Sequence, residues 1–143
     1  MLCLEITEGT IMGQADPEEM LKRLGDLGVR LAIDDFGIGY SSLGSLRRFP
    51  VDVLKIDRTF THGIPENSDN LALVRTIIAL AGGLGLTVIA EGVETRMQHD
   101  TLLAEGCLQG QGYLYGKPGP AAQVESLLKL DSAAVRQSAE LIG

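Results

Sequence analysis

Apolar residues follow two different spacings along this chain, and each change of spacing marks a change of predicted element. Residues 2–7 alternate apolar and polar positions, which predicts a first strand. Asp16 and Pro17 then provide an N-cap and a first helical residue, with leucines at helical spacing behind them. Gly28 is placed to end that helix.

The same two spacings continue to the end of the chain. They predict strands over 30–36, 51–57, 86–93 and 108–111, helices over 41–48, 68–81 and 95–105, a helix from Pro120 and a weakly helical tail from Asp131. We expect Gly82 and Gly83 to end the longest helix, and Thr95 with Gln98 to form a capping box at the next one. Strands that alternate with helices predict βαβ units, a parallel sheet and an α/β fold.

Composition limits the classes of protein to consider. The chain has 143 residues and no shift of composition, so we expect one domain over 1–130 and a helical tail over 131–143. The net charge of −7 disfavours DNA, RNA polymers and anionic membranes as partners. The longest uncharged run, 76–90, is too short to span a bilayer. With no signal peptide and only Cys3 and Cys107, we expect a cytoplasmic protein.

Polar side chains stand at the carboxyl end of every predicted strand. They are Glu5 and Glu8, Asp34 and Asp35, Lys55 and Asp57, Glu91 and Glu94, and Gln111, in strand order. Each acid alone is compatible with a helix cap or a solvated turn. Parallel strands place their carboxyl ends at one edge, where α/β folds build their sites. The repetition over five strands therefore predicts a functional site at this edge.

The third strand and the kinds of side chain narrow the chemistry. Leu54 and Ile56 share one face of the strand, while Lys55 and Asp57 share the other. A buried Lys–Asp pair that served structure alone would cost desolvation for little net stability. Oxygen ligands without paired His or Cys suit hard cations such as Mg²⁺ or Mn²⁺.

Other candidate features carry less weight. We interpret His62 and His99 as surface residues, on a loop and on a polar helix face. The turn at Gly37-Ile38-Gly39 could hold a phosphate, but it lacks the spacing of a nucleotide-binding loop.

Five ordered motifs give a family resemblance. They are Leu4-Glu5-Ile6-Thr7-Glu8, Asp34-Asp35-Phe36-Gly37-Ile38-Gly39-Tyr40-Ser41-Ser42, Leu54-Lys55-Ile56-Asp57-Arg58, Ala90-Glu91-Gly92-Val93-Glu94-Thr95 and Gln111-Gly112-Tyr113-Leu114-Tyr115-Gly116-Lys117-Pro118. Together they resemble the motifs of EAL domains, which are bacterial phosphodiesterases that cleave cyclic di-GMP. The resemblance runs from Glu5 to Pro118 and implies a partial TIM-type barrel of about five βα units.

The resemblance also implies a reaction and its cofactors. In the family, two Mg²⁺ or Mn²⁺ ions and a water cleave one phosphodiester of cyclic di-GMP to give linear pGpG. The metal-facing carboxylates would be Glu5, Asp34, Asp35 and Asp57. Paired cations suit such a displacement because they stabilise both the attacking and the leaving oxygen.

The remaining motif residues receive roles by the same resemblance. Glu91 would be the general base, and Lys55 would orient the attacking water and offset charge on the phosphate. Gln111 would donate a hydrogen bond near that water. Glu8 and Glu94 would hold the loop over 35–42 in place.

The chain departs from the family pattern at its beginning. It starts at what would be a middle strand, without the Glu-Ala-Leu motif and without the strand that carries the family's metal-binding Asn. Three interpretations follow: part of an active phosphodiesterase, an inactive module that senses cyclic di-GMP or binds a protein, or a structural half barrel.

A half barrel would leave two open sheet edges and would expose apolar residues on its inner face. We expect such exposure at Ile33, Val53 and Ile89. Burial of these surfaces favours self-association, as a homodimer that pairs edge strands or completes a barrel-like core.

Overall fold

The computed structural model describes residues 2–38 and 43–121, and these form a parallel sheet with helices. The strands are β1 (Cys3–Thr7), β2 (Arg30–Phe36), β3 (Val53–Ile56), β4 (Thr87–Ala90) and β5 (Gln109–Gly110). The helices are α1 (Glu8–Met12), α2 (Pro17–Gly25), α3 (Leu43–Leu46), α4 (Arg58–Thr61), α5 (Ser68–Leu84) and α6 (Arg96–Ala104). None of the helices in these ranges combines the length and the apolar character that a membrane span needs.

The sheet order follows the chain, β1-β2-β3-β4-β5, and every neighbouring pair is parallel. The predicted α/β class is therefore confirmed. Parallel neighbours need a crossover connection, and helices or loops provide one between each pair of strands. Within the described residues, β1 and β5 form the two edges of the sheet.

One face of the sheet packs against helices to form the core. Leu54 and Ile56 of β3 are completely buried there, with Val74 and Ile77 of α5 in the same apolar cluster. Because β3 lies at the centre of the sheet, it has neighbours on both sides and is buried along its whole length. Side chains on its opposite face are thus held by a rigid strand.

Two helix starts follow the sequence signals closely. The Asp16 carboxylate accepts a hydrogen bond from the Glu19 amide at 3.1 Å, and Pro17 is the first residue of α2. At α6, the Gln98 amide donates to the Thr95 hydroxyl at 3.2 Å while the Gln98 side chain accepts from the Thr95 amide at 3.0 Å. The predicted capping box is confirmed.

The predicted end of the longest helix is wrong. Helix α5 continues through Gly82 and Gly83 to Leu84. Gly85 ends it in the left-handed conformation, with φ of 73°, and its amide donates to Gly82 while the Leu86 amide donates to Ala81. Stopping a helix in this way requires a positive φ, which a glycine within the helix does not supply.

Two short helices lie outside the predicted set. Helices α1 and α4 have five and four residues, too few to show helical periodicity in the sequence. Each is capped at its start by a side chain that accepts a hydrogen bond. The Thr10 amide donates to the Thr7 side chain, and the Thr59 amide donates to the Asp57 side chain. Both start directly after a strand, so they form part of the strand-end region where the site was predicted.

The expected exposure of apolar residues is wrong for two of the three positions. Ile33 and Val53 are buried, and Ile89 is half-buried. Ile33 pairs in register with Leu54, so it faces the helix-side core rather than the opposite face. Among the predicted C-terminal elements, the tail over 131–143 and nearly all of the helix from Pro120 lie outside the described residues.

The turn after β5 packs directly against the backbone that follows β4, which gives a stability test. A methyl group on Gly112 would overlap the backbone N and O of Val93, whereas one on Gly116 would meet nothing within 4 Å. We expect Gly112→Ala to lower the free energy of unfolding by about 1–3 kcal/mol, because backbone has to move. Gly116→Ala should change it by less than about 0.5 kcal/mol. Urea denaturation followed by circular dichroism measures both, and equal effects would contradict this packing.

Candidate metal and catalytic site

Lys55 lies at the centre of the strand ends and contacts acids from three other strands or their ends. Its ammonium is 2.8 Å from Glu5 Oε2, 3.0 Å from Asp34 Oδ1 and 2.6 Å from Glu91 Oε1. The Lys55 side chain is 3% exposed, while those of Glu5, Asp34 and Glu91 are 51%, 22% and 18% exposed. The lysine of this cluster is thus buried, while its acids are partly exposed to solvent.

Sheet register explains why these side chains meet. Glu5 pairs with Ala32 and Ala32 with Val53, and paired residues of parallel strands face the same side. Counting two residues onward from Ala32 and Val53 reaches Asp34 and Lys55, which therefore share that side. The predicted meeting of strand-end groups thus occurs on the face opposite the helix-packed core.

A break in register at the end of β2 places Asp34 and Asp35 together. Ile33 pairs with Leu54 and Phe36 with Ile56. Between these pairs β2 advances by three residues while β3 advances by two, so β2 contains one extra residue. Asp35 takes a positive φ of 55°, which Asp tolerates better than most residues. In a regular strand, neighbouring carboxylates point to opposite faces, and this bulge brings both to the same site.

The result is a compact group of carboxylate oxygens. One ligand atom from each of Asp34, Asp35 and Glu91 lies within 4.8 Å of the others, and all three residues are half-buried. Oxygen donors with excess negative charge are the ligands that Mg²⁺ and Mn²⁺ prefer. The donor set therefore fits a hard divalent cation. Glu91, expected as a base, lies in this group, while Glu5 and Asp57 lie outside it.

Crowded charges alter the acid–base properties of the site. Burial and the nearby carboxylates Asp34 and Asp57 raise the pKa of Asp35. Burial also raises the pKa of Glu91, although Lys55 opposes this. Burial acts to lower the pKa of Lys55, but its hydrogen bonds to the three acids outweigh burial and raise that pKa. Lys55 thus remains charged and supplies the positive charge of the cluster.

Asp57 has a structural contact of its own. Its Oδ1 accepts a hydrogen bond from the Thr59 amide at 2.8 Å and so caps α4. Burial acts to raise the pKa of Asp57, but the hydrogen bonds from Thr59 and Arg58 outweigh it and lower that pKa. The Asp57 carboxylate is also near enough to Asp35 for its charge to raise the pKa of Asp35. It therefore stays ionised beside the metal-type group.

Two residues that sequence reasoning did not assign to the site hold the segment of Glu91. The Thr61 hydroxyl, fully buried, hydrogen-bonds to the backbone carbonyl of Glu91. Gln98 Nε2 donates to the Thr61 carbonyl at 3.1 Å, and Gln98 Oε1 accepts from the Glu94 amide at 2.8 Å. The sequence predicted Gln98 as part of the capping box of α6 but not its contact with Thr61. No signal in the sequence points to Thr61.

A cleft of about 250 Å³ adjoins the cluster on the side of β5. Glu91, Glu94 and Gln111 all line it, together with Arg58 and Tyr113. Gln111 is placed by its backbone, since its amide donates to Ala90 at 2.8 Å and its carbonyl accepts from Val93 at 3.1 Å. The predicted site residues Glu91 and Glu94, after β4, and Gln111, after β5, therefore line the same cleft.

The other predicted positions lie away from the metal-type group. Glu8 is buried at the start of α1, and His62 is exposed after α4. His99 Nδ1 lies 2.9 Å from the Tyr115 hydroxyl. Within the described ranges, the three-carboxylate group contains neither histidine. The turn that begins at Gly37 continues into residues outside the described ranges, so the proposed loop contacts of Glu8 and Glu94 stay predictions.

Comparison with known proteins agrees with this geometry. A family model described as the EAL domain matches residues 1–118. The cyclic di-GMP phosphodiesterase NbdA of Pseudomonas aeruginosa is 47% identical over 127 residues, which cover 88% of this chain and 16% of that protein. The chain therefore spans about a sixth of that relative's length.

Solved structures show the same fold. A structure described as the PaMucR phosphodiesterase in complex with c-di-GMP has a TM-score of 0.82 and 48% identity, and the match covers 86% of this chain and 50% of that one. A manganese and cyclic di-GMP complex of Klebsiella pneumoniae BlrP1 has a TM-score of 0.75 and 38% identity, covering 81% of this chain and 30% of that one.

The family match covers most of the chain, and both solved structures are similar to its parallel sheet and helices. The predicted resemblance and the predicted α/β fold of EAL type are confirmed. This chain belongs to the EAL domain family.

Proposed function

We propose that this chain carries the cation-binding and water-activating part of a site that hydrolyses cyclic di-GMP to linear pGpG. The observation that supports it most is the arrangement of Asp34, Asp35 and Glu91 oxygens within 4.8 Å of one another, beside the buried Lys55 ammonium. Relatives named as cyclic di-GMP phosphodiesterases share 47–48% of their residues with this chain over the matched segments. The chemistry of the cluster and the family therefore favour the same reaction.

Mg²⁺ or Mn²⁺ is the cofactor that we propose, with two ions as the number expected for the reaction. Asp34, Asp35 and Glu91 would hold a cation through their oxygens, with Glu5 and Asp57 at the margin of the group. When bound, such cations supply positive charge that lowers the pKa of water and offsets charge on a phosphodiester. The match to a manganese complex of BlrP1 supports this choice of ion.

Three side chains would act on the water and the phosphate. Glu91 would accept the water proton as the general base, the role that the family resemblance gives it, and its place beside the proposed cation puts it next to that water. Lys55, in contact with Glu91 Oε1 at 2.6 Å, would fix that carboxylate and face the phosphate charge. Gln111 lines the same cleft and would donate a hydrogen bond to the water. The new bond joins the water oxygen to phosphorus, the ester bond to one sugar oxygen breaks, and that leaving oxygen takes up a proton from solvent to become a hydroxyl.

The second candidate is a module that binds cyclic di-GMP, or a protein, without hydrolysis. Solved relatives described as complexes with c-di-GMP support the nucleotide binding on which this candidate rests. In either case Glu8 and Glu94 would support the loop that follows Asp35.

Turnover distinguishes the two candidates. We expect this chain, incubated with cyclic di-GMP and Mn²⁺, to produce pGpG, and Glu91→Gln to reduce the rate by about 10²–10⁴-fold because a general base is lost. Glu19→Gln is the matched control, since Glu19 is an exposed acid of α2 outside the cluster. Chromatography of the products measures the rates. Binding of the nucleotide without any pGpG would contradict the hydrolase proposal and support the sensor.

We also propose that the chain self-associates as a homodimer through the β1 edge. Within the described residues β1 pairs only with β2, which leaves a row of backbone groups on its outer side. Leu2, next to this edge, is 62% exposed, and Leu4 and Ile6 are half-buried. A second copy presents the same edge, so the two surfaces suit a symmetric pairing.

Light scattering after gel filtration tests the dimer. We expect a dimer mass at micromolar concentration, and Leu2→Lys should shift the mass towards the monomer because it places a charge beside the edge. Leu73→Lys, at an exposed position on α5, should leave the mass unchanged. A stable monomer for the unaltered chain would overturn this proposal.

A further inference from the structure

We propose that Lys55 is an internal counterion that competes with the divalent cation for the same carboxylates. This inference rests on the proposed cation site and adds a control on how tightly that site binds. It assigns Lys55 two effects: support of the acidic cluster while no cation is bound, and weakening of cation affinity.

Lys55 and a bound cation would share their carboxylate ligands. The Lys55 ammonium contacts Asp34 Oδ1 at 3.0 Å and Glu91 Oε1 at 2.6 Å. Asp34 and Glu91 are also two of the three residues whose oxygens converge within 4.8 Å. A cation bound by these acids would therefore lie close to the ammonium, and like charges repel more strongly at short distance and away from water.

Burial prevents Lys55 from moving out of the way. Its side chain is 3% exposed, and β3 is paired on both sides and buried along its length. Long lysine side chains usually extend their charge into water, but no such path is open here. The three acids are 18–51% exposed, so a cation would approach them from the solvent side while the ammonium stays on the sheet side.

Preorganisation is the effect that works in the other direction. Lys55 holds Asp34 and Glu91 in place, and fixed ligands bind a cation better than mobile ones. The backbone already supplies most of that fixation, however, through the register break at Asp35 and the Thr61 hydrogen bond to the Glu91 carbonyl. Removing the ammonium should therefore relieve repulsion while it costs little ligand order.

The three ion pairs of Lys55 show why a lysine is useful at this position. Glu5, Asp34 and Glu91 surround one ammonium, and Asp35 adds a further carboxylate that feels its charge. Without Lys55, several partly buried acids would repel one another unless a cation replaced it. The inference thus predicts that loss of Lys55 makes folding depend on the divalent cation.

Manganese titration of the whole chain tests the inference. Wild type, Lys55→Met and Lys55→Gln are titrated with Mn²⁺ alone, with electron paramagnetic resonance as the readout of free ion. We expect both neutral variants to bind Mn²⁺ about 10-fold more tightly than wild type, because one unit of nearby positive charge is gone. Lys22→Met is the matched control on exposed α2 and should match wild type.

Circular dichroism of the same samples keeps the test decisive if a variant is unfolded. We then expect Mn²⁺ to restore the helical signal of Lys55→Met, with no comparable effect of Mn²⁺ on Lys22→Met. Weaker or equal Mn²⁺ binding by folded neutral variants, or no refolding at millimolar Mn²⁺, would overturn the inference. If the inference fails in this way but the wild type binds Mn²⁺, the proposed cation site still stands. If neither the wild type nor any variant binds Mn²⁺, the cation site and the competition by Lys55 are both contradicted.

Discussion

A buried ammonium needs close acidic partners, and the ends of the parallel strands in this EAL domain supply them to Lys55. The central strand β3 fixes the lysine, and Glu5, Asp34 and Glu91 reach it from β1, β2 and the end of β4. Each acid is far from the others in sequence, so only the sheet register brings them together. The ion pairs of Lys55 therefore depend on the sheet register and also position the acids of the proposed site.

Two local features of the fold support the site at that edge. The break in register at the end of β2 turns two adjacent aspartates towards one site, at the cost of a positive φ at Asp35. Asp57 caps α4 and lies near enough to Asp35 to raise its pKa, and Thr61 at the other end of α4 holds the carbonyl of Glu91. A four-residue helix thus supports two of the acidic positions.

The spacing of apolar residues predicted the strands, their parallel arrangement and the edge where the site lies. It could do so because buried positions recur at regular intervals along a strand or helix. It did not predict the bulge or α4, since both depend on a few residues whose conformation is set by neighbouring strands. The contact of Thr61 with Glu91 joins residues thirty positions apart and has no local signature. Gly82 and Gly83 misled the prediction because composition does not reveal which glycine takes a positive φ.

A divalent cation bound by Asp34, Asp35 and Glu91 beside Lys55 is what the proposed chemistry requires. The most direct measurement is anomalous X-ray diffraction from crystals of this chain soaked in Mn²⁺. We expect an anomalous peak among the oxygens of those three residues. Peaks only at other surface acids, or none in crystals whose Asp34, Asp35 and Glu91 are well ordered, would contradict it.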